Sequence, residues 1–224
     1  MTRVFLFDID GTLVLTGGSG MRALERATFE LSGVAGATAG IQADGKTDPI
    51  LAAEIALALP SPVDPEFAER LFGRYLELLA LEVAETPRYQ VLPGVAGALD
   101  ALDAAALPYG LATGNIEAAA RIKLERGDLW RRFPFGGYGS DSGERWALVA
   151  RAIERGAGHL GRTVPADSVV VVGDTPRDVE AAHATGARCL GVATGRYSED
   201  ELRRAGADWA LPTLEAFPDW LTSA

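Results

Sequence analysis

The segment Val4-Phe5-Leu6-Phe7-Asp8-Ile9-Asp10-Gly11-Thr12-Leu13-Val14 sets the architecture of the chain. Val4–Phe7 is apolar at every position, with no alternation of polar and apolar residues. That is the pattern of a short strand covered on both faces, as in a parallel sheet flanked by helices. Asp8 and Asp10 follow at once. Residues two apart on extended chain point to one side, and these two sit where such a sheet would bind ligands, beyond the carboxyl end of a strand. Like charges this close repel unless a cation joins them or one carboxyl holds a proton. The pair therefore reads as a metal site or an acid/base pair, against the plainer reading of a strand running into an Asp-Gly turn.

The same strand signature recurs at Tyr109–Ala112, weakly at Phe135–Tyr138, at Val169–Val172, at Cys189–Ala193 and at Trp209–Leu211. Segments of helical period separate these runs: Val95–Ala104, Ile116–Arg126, Glu144–Gly156, Pro176–Thr185 and Glu199–Ala205. Ser198 with Glu201 has the spacing of a capping box at the start of the last. The alternation predicts an α/β fold, a doubly wound, Rossmann-like parallel sheet. One interval breaks the rhythm. Between Gly17 and Tyr89 the periodicity predicts helices around Met21–Leu31, Pro49–Leu59 and Pro65–Val83, the last with Phe67, Leu71, Tyr75, Leu78 and Leu79 on one face. A single crossover needs only about a dozen residues. The expectation is an inserted helical cap over 17–89, with the α/β core formed by 1–16 and 90–224. The glycines of Thr16–Gly20 and the Pro93-Gly94 pair punctuate its ends.

Composition narrows the function classes. The chain has 224 residues, 48% of them hydrophobic, which is ample for a packed core. Its 21 Lys and Arg face 31 Asp and Glu, for a formal charge of −10, so nucleic acid and anionic membranes are poor partners. No apolar run approaches a membrane span, and Met1–Phe7 is too short for a signal peptide. With Cys189 as the lone cysteine no intramolecular disulfide can form, and a cytoplasmic enzyme is the expectation. If its substrate is a small anion, positive charge must be supplied locally.

Two further strand ends carry chemistry. Val169–Val172 runs into Gly173-Asp174-Thr175-Pro176-Arg177-Asp178. Thr175 as N-cap and Pro176 as first helical residue account for Asp178 as part of an ordinary helix start, but leave Asp174 unexplained. Two acidic strand ends of one parallel sheet can converge, and hard oxygen ligands suit Mg²⁺. Leu111-Ala112-Thr113-Gly114-Asn115 ends another strand, with backbone N–H groups and a helix start able to cradle an anion, though a turn with a helix cap has the same composition. His159 and His183 lack metal-ligand spacing, and Trp130, Trp146, Trp209 and Trp220 read as packing residues.

In this order and spacing, Asp8-Ile9-Asp10-Gly11-Thr12-Leu13-Val14, Thr113-Gly114-Asn115 and Gly173-Asp174-Thr175 with Asp178 resemble the haloacid dehalogenase-like hydrolase superfamily over essentially the whole chain. The helical insertion, and Gly45-Lys46-Thr47-Asp48-Pro49 within it, resemble the cap of the phosphoglycolate phosphatase-like branch. The resemblance implies phosphoryl transfer through an aspartyl-phosphate, with Asp8 as nucleophile and Asp10 as general acid and then base. It implies Mg²⁺ held by Asp8, the backbone carbonyl of Asp10 and Asp174, with Asp178 in support, and phosphoryl oxygens bound by Thr113, Gly114 and Asn115. Where the family carries a basic residue, usually Lys, before the fourth strand, this chain reads Ser140-Asp141-Ser142-Gly143-Glu144-Arg145-Trp146. Arg145 is the first choice for the phosphate clamp. Lys123 is the rival, although a helical Lys among Arg121, Glu125 and Arg126 is more often a solvated charge. Lys46 is a candidate to reach the substrate from the cap.

These readings converge on a Mg²⁺-dependent phosphatase acting on a small phosphorylated metabolite, with a phosphoglycolate-like monoester the nearest guess. A phosphosugar mutase would use the same Asp8 and cap. A 2-haloacid dehalogenase fits less well, because the resemblance there lacks the second aspartate and the metal. A non-catalytic binding module would have no evident use for four clustered aspartates.

Overall fold

The computed structural model describes residues 3–223, so Met1 and Thr2 of the apolar amino terminus and Ala224 at the end of the core lie outside it. Six parallel strands form the main sheet: β1 (Val4–Phe7), β4 (Tyr109–Ala112), β5 (Gly136–Gly137), β6 (Val169–Gly173), β7 (Arg188–Val192) and β8 (Trp209–Leu211), in the spatial order β5-β4-β1-β6-β7-β8. Their residues are buried almost throughout, which is why these runs show no alternation. From β1 the chain moves outward to β4 and β5, then returns to β6 on the other flank of β1 and moves outward again. The strand order thus reverses between β1 and β6, the position where sheets of this kind open a crevice beyond their carboxyl ends. Phe7 pairs with Val172 there, and the Asp8 N–H donates to the Val172 carbonyl at 2.9 Å. Asp8 and Asp174 are brought to one crevice by register.

Helices cover both faces. Phe5 and Phe7 point to a cluster with Val95, Ala98, Leu99 and Leu102 of α4 (Val95–Ala104) and Phe217 and Trp220 of α9 (Phe217–Ser223). Val4 and Leu6 point the other way, to Leu148, Val149 and Ala152 of α6 (Arg145–Leu160) and Val179 and Ala182 of α7 (Pro176–Ala184). α5 (Glu117–Glu125) follows β4, and α8 (Glu199–Arg204) follows β7. Both helices with an expected cap have one: Thr175 with Asp178 and Ser198 with Glu201 form capping boxes. α6 runs past its expected end at Gly156. A β-carbon there would stand 2.8 Å from Phe135, so this glycine permits close packing rather than breaking the helix; termination falls at Gly161, at φ 62°. β5 is shorter than Phe135–Tyr138, and Trp146, expected to pack, is 51% exposed on the first turn of α6.

The insertion contains α1 (Ser19–Ser32), α2 (Asp48–Ala58) and α3 (Phe67–Glu85), lying between the two-residue strands β2 (Val14–Leu15) and β3 (Gln90–Val91). β2 and β3 pair antiparallel, Val14 with Val91, and form a ribbon where the chain leaves and rejoins the core. Ala23, Leu24 and Ala27 of α1, Leu51 and Ile55 of α2, and Leu71, Tyr75, Leu78 and Leu79 of α3 bury one another. Each such Leu contributes about 1.5–3 kcal/mol of burial. This cluster also takes in Ile116 and Ala119, so the insertion packs directly on the start of α5. No helix among the described residues is long and apolar enough to cross a membrane.

Candidate active site

At the crevice, β1 delivers Asp8 and β6 delivers Asp174, both 5% exposed. Gly11, at φ 81°, turns the chain back, and a β-carbon on it would fall 2.3 Å from Asp174 Oδ2. Gly195, after β7, is tighter still at 1.7 Å. The Asp174 carboxylate therefore lies in a slot between two glycine backbones that no other residue could line. Thr12 donates its hydroxyl to Asp174 Oδ1 at 3.3 Å, and Thr194 donates to the Gly11 carbonyl at 2.6 Å, closing the slot.

Asp178 stands beside them. Its Oδ2 accepts from the Thr175 N–H at 3.0 Å and the Thr175 hydroxyl at 2.8 Å, while Oδ1 accepts from Arg145 Nε at 3.1 Å and also from Nη2. Arg145 Nη2 reaches Asp8 Oδ2 at 2.9 Å, and Nη1 donates to the Gly45 carbonyl of the insertion at 3.2 Å. One planar guanidinium thus spans a strand end, a helix start and an insertion loop, a reach suited to its fork of donors. Asp8, Asp174 and Asp178 each present an oxygen within 4.8 Å of the others.

The second basic residue is Lys123, and here the expectation of a solvated helical charge is corrected. Ala119, Ala120, Lys123 and Leu124 form the buried face of α5, and Lys123 is 5% exposed. Its ammonium donates to Asp10 Oδ2 at 2.6 Å and to Asn115 Oδ1 at 2.7 Å. The Asn115 amide donates to the same Asp10 oxygen at 2.8 Å and to the Thr113 hydroxyl at 2.9 Å. Asp10 Oδ1 has no partner among the described residues and belongs to a carboxylate that lines the cavity. Choosing between Arg145 and Lys123 proves unnecessary, since the fold brings both to the site on opposite sides.

Insertion loop 43–48 completes the wall. The Asp48 N–H donates to the Gly114 carbonyl at 2.8 Å, and Asp48 Oδ2 accepts from the Ile116 N–H at 2.9 Å. Thr47 donates its hydroxyl to the Gly143 carbonyl at 2.9 Å. Gly114 must be glycine for this docking, because a β-carbon would lie 2.4 Å from the Lys46 carbonyl. Lys46 lines the cavity, yet its ammonium is held by both oxygens of Glu54 at 2.7 Å. His159 stacks on Phe135 and His183 pairs with Asp208, both away from the site.

Electrostatics explains what such a pocket lacks. Burial pushes the Asp8 carboxyl up to about 6, with Arg145 opposing and Asp178 and Asp10 adding to the rise. Burial, then the neighbouring Asp178 and Asp8, push Asp174 up to about 9. Burial raises Asp48 to about 6 despite Lys123. Asp8, Asp174 and Asp178 cluster around a single cation, Arg145, so that end of the site is short of positive charge. Asp8 and Asp174 are hard oxygen donors in the part of the pocket where that shortage is most acute, and they fit a divalent cation of the Mg²⁺ type.

Thr12, Asp48, Tyr75, Thr194 and Gly195 line or support the site without having been singled out from sequence. Thr12 and Asp48 lie within the motif segments 8–14 and 45–49 without a role assigned to them, and Gly195 is a glycine just past a strand end.

Comparison with known proteins agrees with this arrangement. Residues 147–217 match the family model described as HAD-hydrolase-like. A protein from Dickeya dadantii named "Probable phosphatase IndB" is 28% identical over 215 residues, covering 92% of this chain and 87% of its own. Among solved structures, a hydrolase from Pseudomonas syringae superposes with a TM-score of 0.71 at 24% identity, covering 98% of each chain. CbbY from Rhodobacter sphaeroides, crystallised with phosphate, gives 0.75 at 22% identity and 96% coverage of each chain.

Proposed function

We propose that this chain, which belongs to the haloacid dehalogenase-like hydrolase superfamily, is a Mg²⁺-dependent phosphatase that cleaves a small, phosphoglycolate-like phosphate monoester through an aspartyl-phosphate on Asp8. The observation that carries the reading is the division of labour between two carboxylates. Asp8 has one oxygen on Arg145 and lies against Asp174, while Asp10 faces the same cavity with Oδ2 fixed by Lys123 and Asn115 and Oδ1 open.

Asp8 attacks phosphorus through a carboxylate oxygen as the bond to the ester oxygen breaks. Asp10 Oδ1 gives its proton to the departing alcohol. In the second half, Asp10 takes a proton from water as that water attacks the phosphoryl group, and inorganic phosphate leaves with Asp8 restored. Lys123 and Asn115 hold Asp10 in place for both transfers. Arg145 orients Asp8 and supplies charge to the phosphoryl oxygens, and the hydroxyl of Thr113 with the backbone around Gly114 lines their side of the cavity. Asp8, the Asp10 carbonyl and Asp174 would hold Mg²⁺, with Asp178 acting through Arg145. When bound, the ion offsets the negative charge of nucleophile and substrate.

Support for a small substrate comes from a cavity of about 620 Å³ that the insertion and the core line together. The name of the Dickeya dadantii relative supports the reaction class, and a solved structure described as a predicted phosphoglycolate phosphatase from Haemophilus somnus shares the fold, at TM-score 0.73 and 16% identity. The test is inorganic phosphate release from a panel of small monoesters with and without Mg²⁺. Wild type is expected to release it only with the metal, and Asp8→Asn to lose it by at least about a thousandfold. Full activity in Asp8→Asn would overturn the assignment.

A further inference from the structure

Asn115 is central to how Asp10 is held. Its amide donates to Asp10 Oδ2 at 2.8 Å, and its Oδ1 accepts from Lys123, which donates to the same Asp10 oxygen at 2.6 Å. The side chain can keep that geometry only if the backbone beneath it is fixed. Within the core, the Thr113 hydroxyl accepts from the Asn115 amide at 2.9 Å and from its backbone N–H at 3.3 Å, and the Gly139 N–H donates to the Asn115 carbonyl at 2.8 Å. The residues on either side, Gly114 and Ile116, are held from the insertion.

One residue holds both. Asp48, buried at the first position of α2, donates its N–H to the Gly114 carbonyl at 2.8 Å and accepts the Ile116 N–H on Oδ2 at 2.9 Å. α5 has no polar cap of its own, since its N-cap is the aliphatic Ile116. A carboxylate suits that place, because the N–H groups at a helix start favour negative charge. There is little slack around the segment. Beyond the close approach of Gly114 to the Lys46 carbonyl, a β-carbon on Gly139 would fall 2.2 Å from the Gly114 carbonyl oxygen on the other side. Docking of the insertion could use contacts anywhere along the core. Those of Asp48 fall on the two neighbours of Asn115.

We propose that Asp48 is a positioning residue for Asp10: it fixes Asn115 from both sides and, through Asn115, the carboxyl that gives its proton to the departing alcohol. The proposal rests on the phosphatase reading above. In this role Asp48 acts only through the backbone of Gly114 and Ile116. With loop 43–48 away from the core both contacts end, Asn115 keeps only its partners within the core, and Asp10 keeps Lys123 but loses a rigid second donor. Proton delivery is sensitive to such a change, since a displacement of about 1 Å in a catalytic group can cost about a hundredfold in rate.

The leaving group provides the test. An alkoxide needs a proton as it departs and p-nitrophenolate does not, and kcat/KM covers the steps up to that departure. With Mg²⁺ present, kcat/KM is measured for p-nitrophenyl phosphate and for the alkyl phosphate that wild type cleaves fastest. Asp48→Ala is expected to lower the value for the alkyl ester at least about tenfold more than for the p-nitrophenyl ester. Asp48→Asn, whose amide oxygen still accepts from Ile116, should recover most of that difference. Adding Asp48→Ala to Asn115→Ala should cost the alkyl ester less than about threefold beyond Asn115→Ala alone, because both remove the same constraint. Taking the ratio of two esters on one sample cancels any loss of folded protein. Equal losses on both esters, Asp48→Asn behaving as Asp48→Ala, or additive losses in the double variant overturn the positioning role while leaving the phosphatase reading intact. Absence of Mg²⁺-dependent phosphate release by wild type from every monoester overturns both.

Discussion

Asp174→Asn separates the cost of building this site from its use. In the metal-free protein, burial with Asp178 and Asp8 nearby lifts the Asp174 carboxyl to about 9 from 3.8. The folded state then binds a proton more tightly than the unfolded state does. Its contribution is fully favourable below pH 3.8, and stability is lost as pH rises from there until about 9. At pH 7 the window traversed is the difference between 7 and 3.8, equivalent to about 4 kcal/mol at 1.36 kcal/mol per unit. Water entering a metal-free site screens part of this, so a gain of about 2 kcal/mol is expected from an uncharged isostere. Asn can keep the contact with Thr12, because its carbonyl accepts where Asp174 Oδ1 now does. For a chain of this size the gain corresponds to about 4–8 °C in Tm. The assay is thermal unfolding in EDTA and in excess Mg²⁺ across the acid-to-alkaline range. In EDTA, Asp174→Asn should exceed wild type by a margin that grows with pH. Mg²⁺ should raise the wild-type Tm and leave the variant nearly unmoved, since only ligand binding to the folded state stabilises it. A variant less stable than wild type in EDTA at pH 8, or an equal response of both to Mg²⁺, would refute the account of the site as an acidic cluster awaiting a cation.

Other substitutions probe neighbouring links. Arg145→Met leaves Asp8 and Asp178 buried without their cation and should destabilise by about 3–5 kcal/mol in chemical denaturation, with Arg145→Lys intermediate because it loses the fork. Gly114→Ala drives a β-carbon into the Lys46 carbonyl. It should cost about 1–3 kcal/mol and raise KM in steady-state assays, as the insertion loop can no longer seat. Asp48→Asn removes a carboxyl that burial holds near 6, so its stability relative to wild type should rise between pH 4 and 6 and level off above. A pH-independent difference in denaturant midpoints would count against that assignment.

The sheet was legible because its strands are buried on both faces and therefore written as unbroken apolar runs, from Val4–Phe7 to Val169–Val172. β2 and β3 were not, since two residues apiece leave no period to detect and their pairing joins positions far apart in the chain. Asp8, Asp10 and Asp174 announced themselves as charges placed just past apolar strands. Lys123 did not, because its face of α5 is otherwise alanine and leucine, and a lysine flanked by Arg121, Glu125 and Arg126 looks solvated until the Asp10 carboxylate is set against it. Lys46 misled in the opposite sense. Its loop does reach the cavity, but Glu54, in the second turn of α2, takes its charge. Sequence spacing can indicate which backbone approaches a site; whether a long side chain is free there depends on partners that spacing does not reveal.

The net charge of −10 and the proposed chemistry of phosphate anions are compatible because positive charge is concentrated rather than abundant. Arg145 shows how. Its guanidinium contacts Asp8, Asp178 and the Gly45 carbonyl at once, so the group that steadies the proposed nucleophile also holds the insertion against the core. Moving loop 43–48 away would forfeit the Gly45 contact together with those of Thr47 and Asp48 on Gly143, Gly114 and Ile116. Hydrogen bonds made by a charged group are worth about 1.5–3 kcal/mol each and neutral ones about 1. Opening the insertion thus costs a few kilocalories per mole and simultaneously loosens Arg145 from one of its three anchors. The Gly45 contact thus ties the seating of the insertion loop to the guanidinium that holds Asp8.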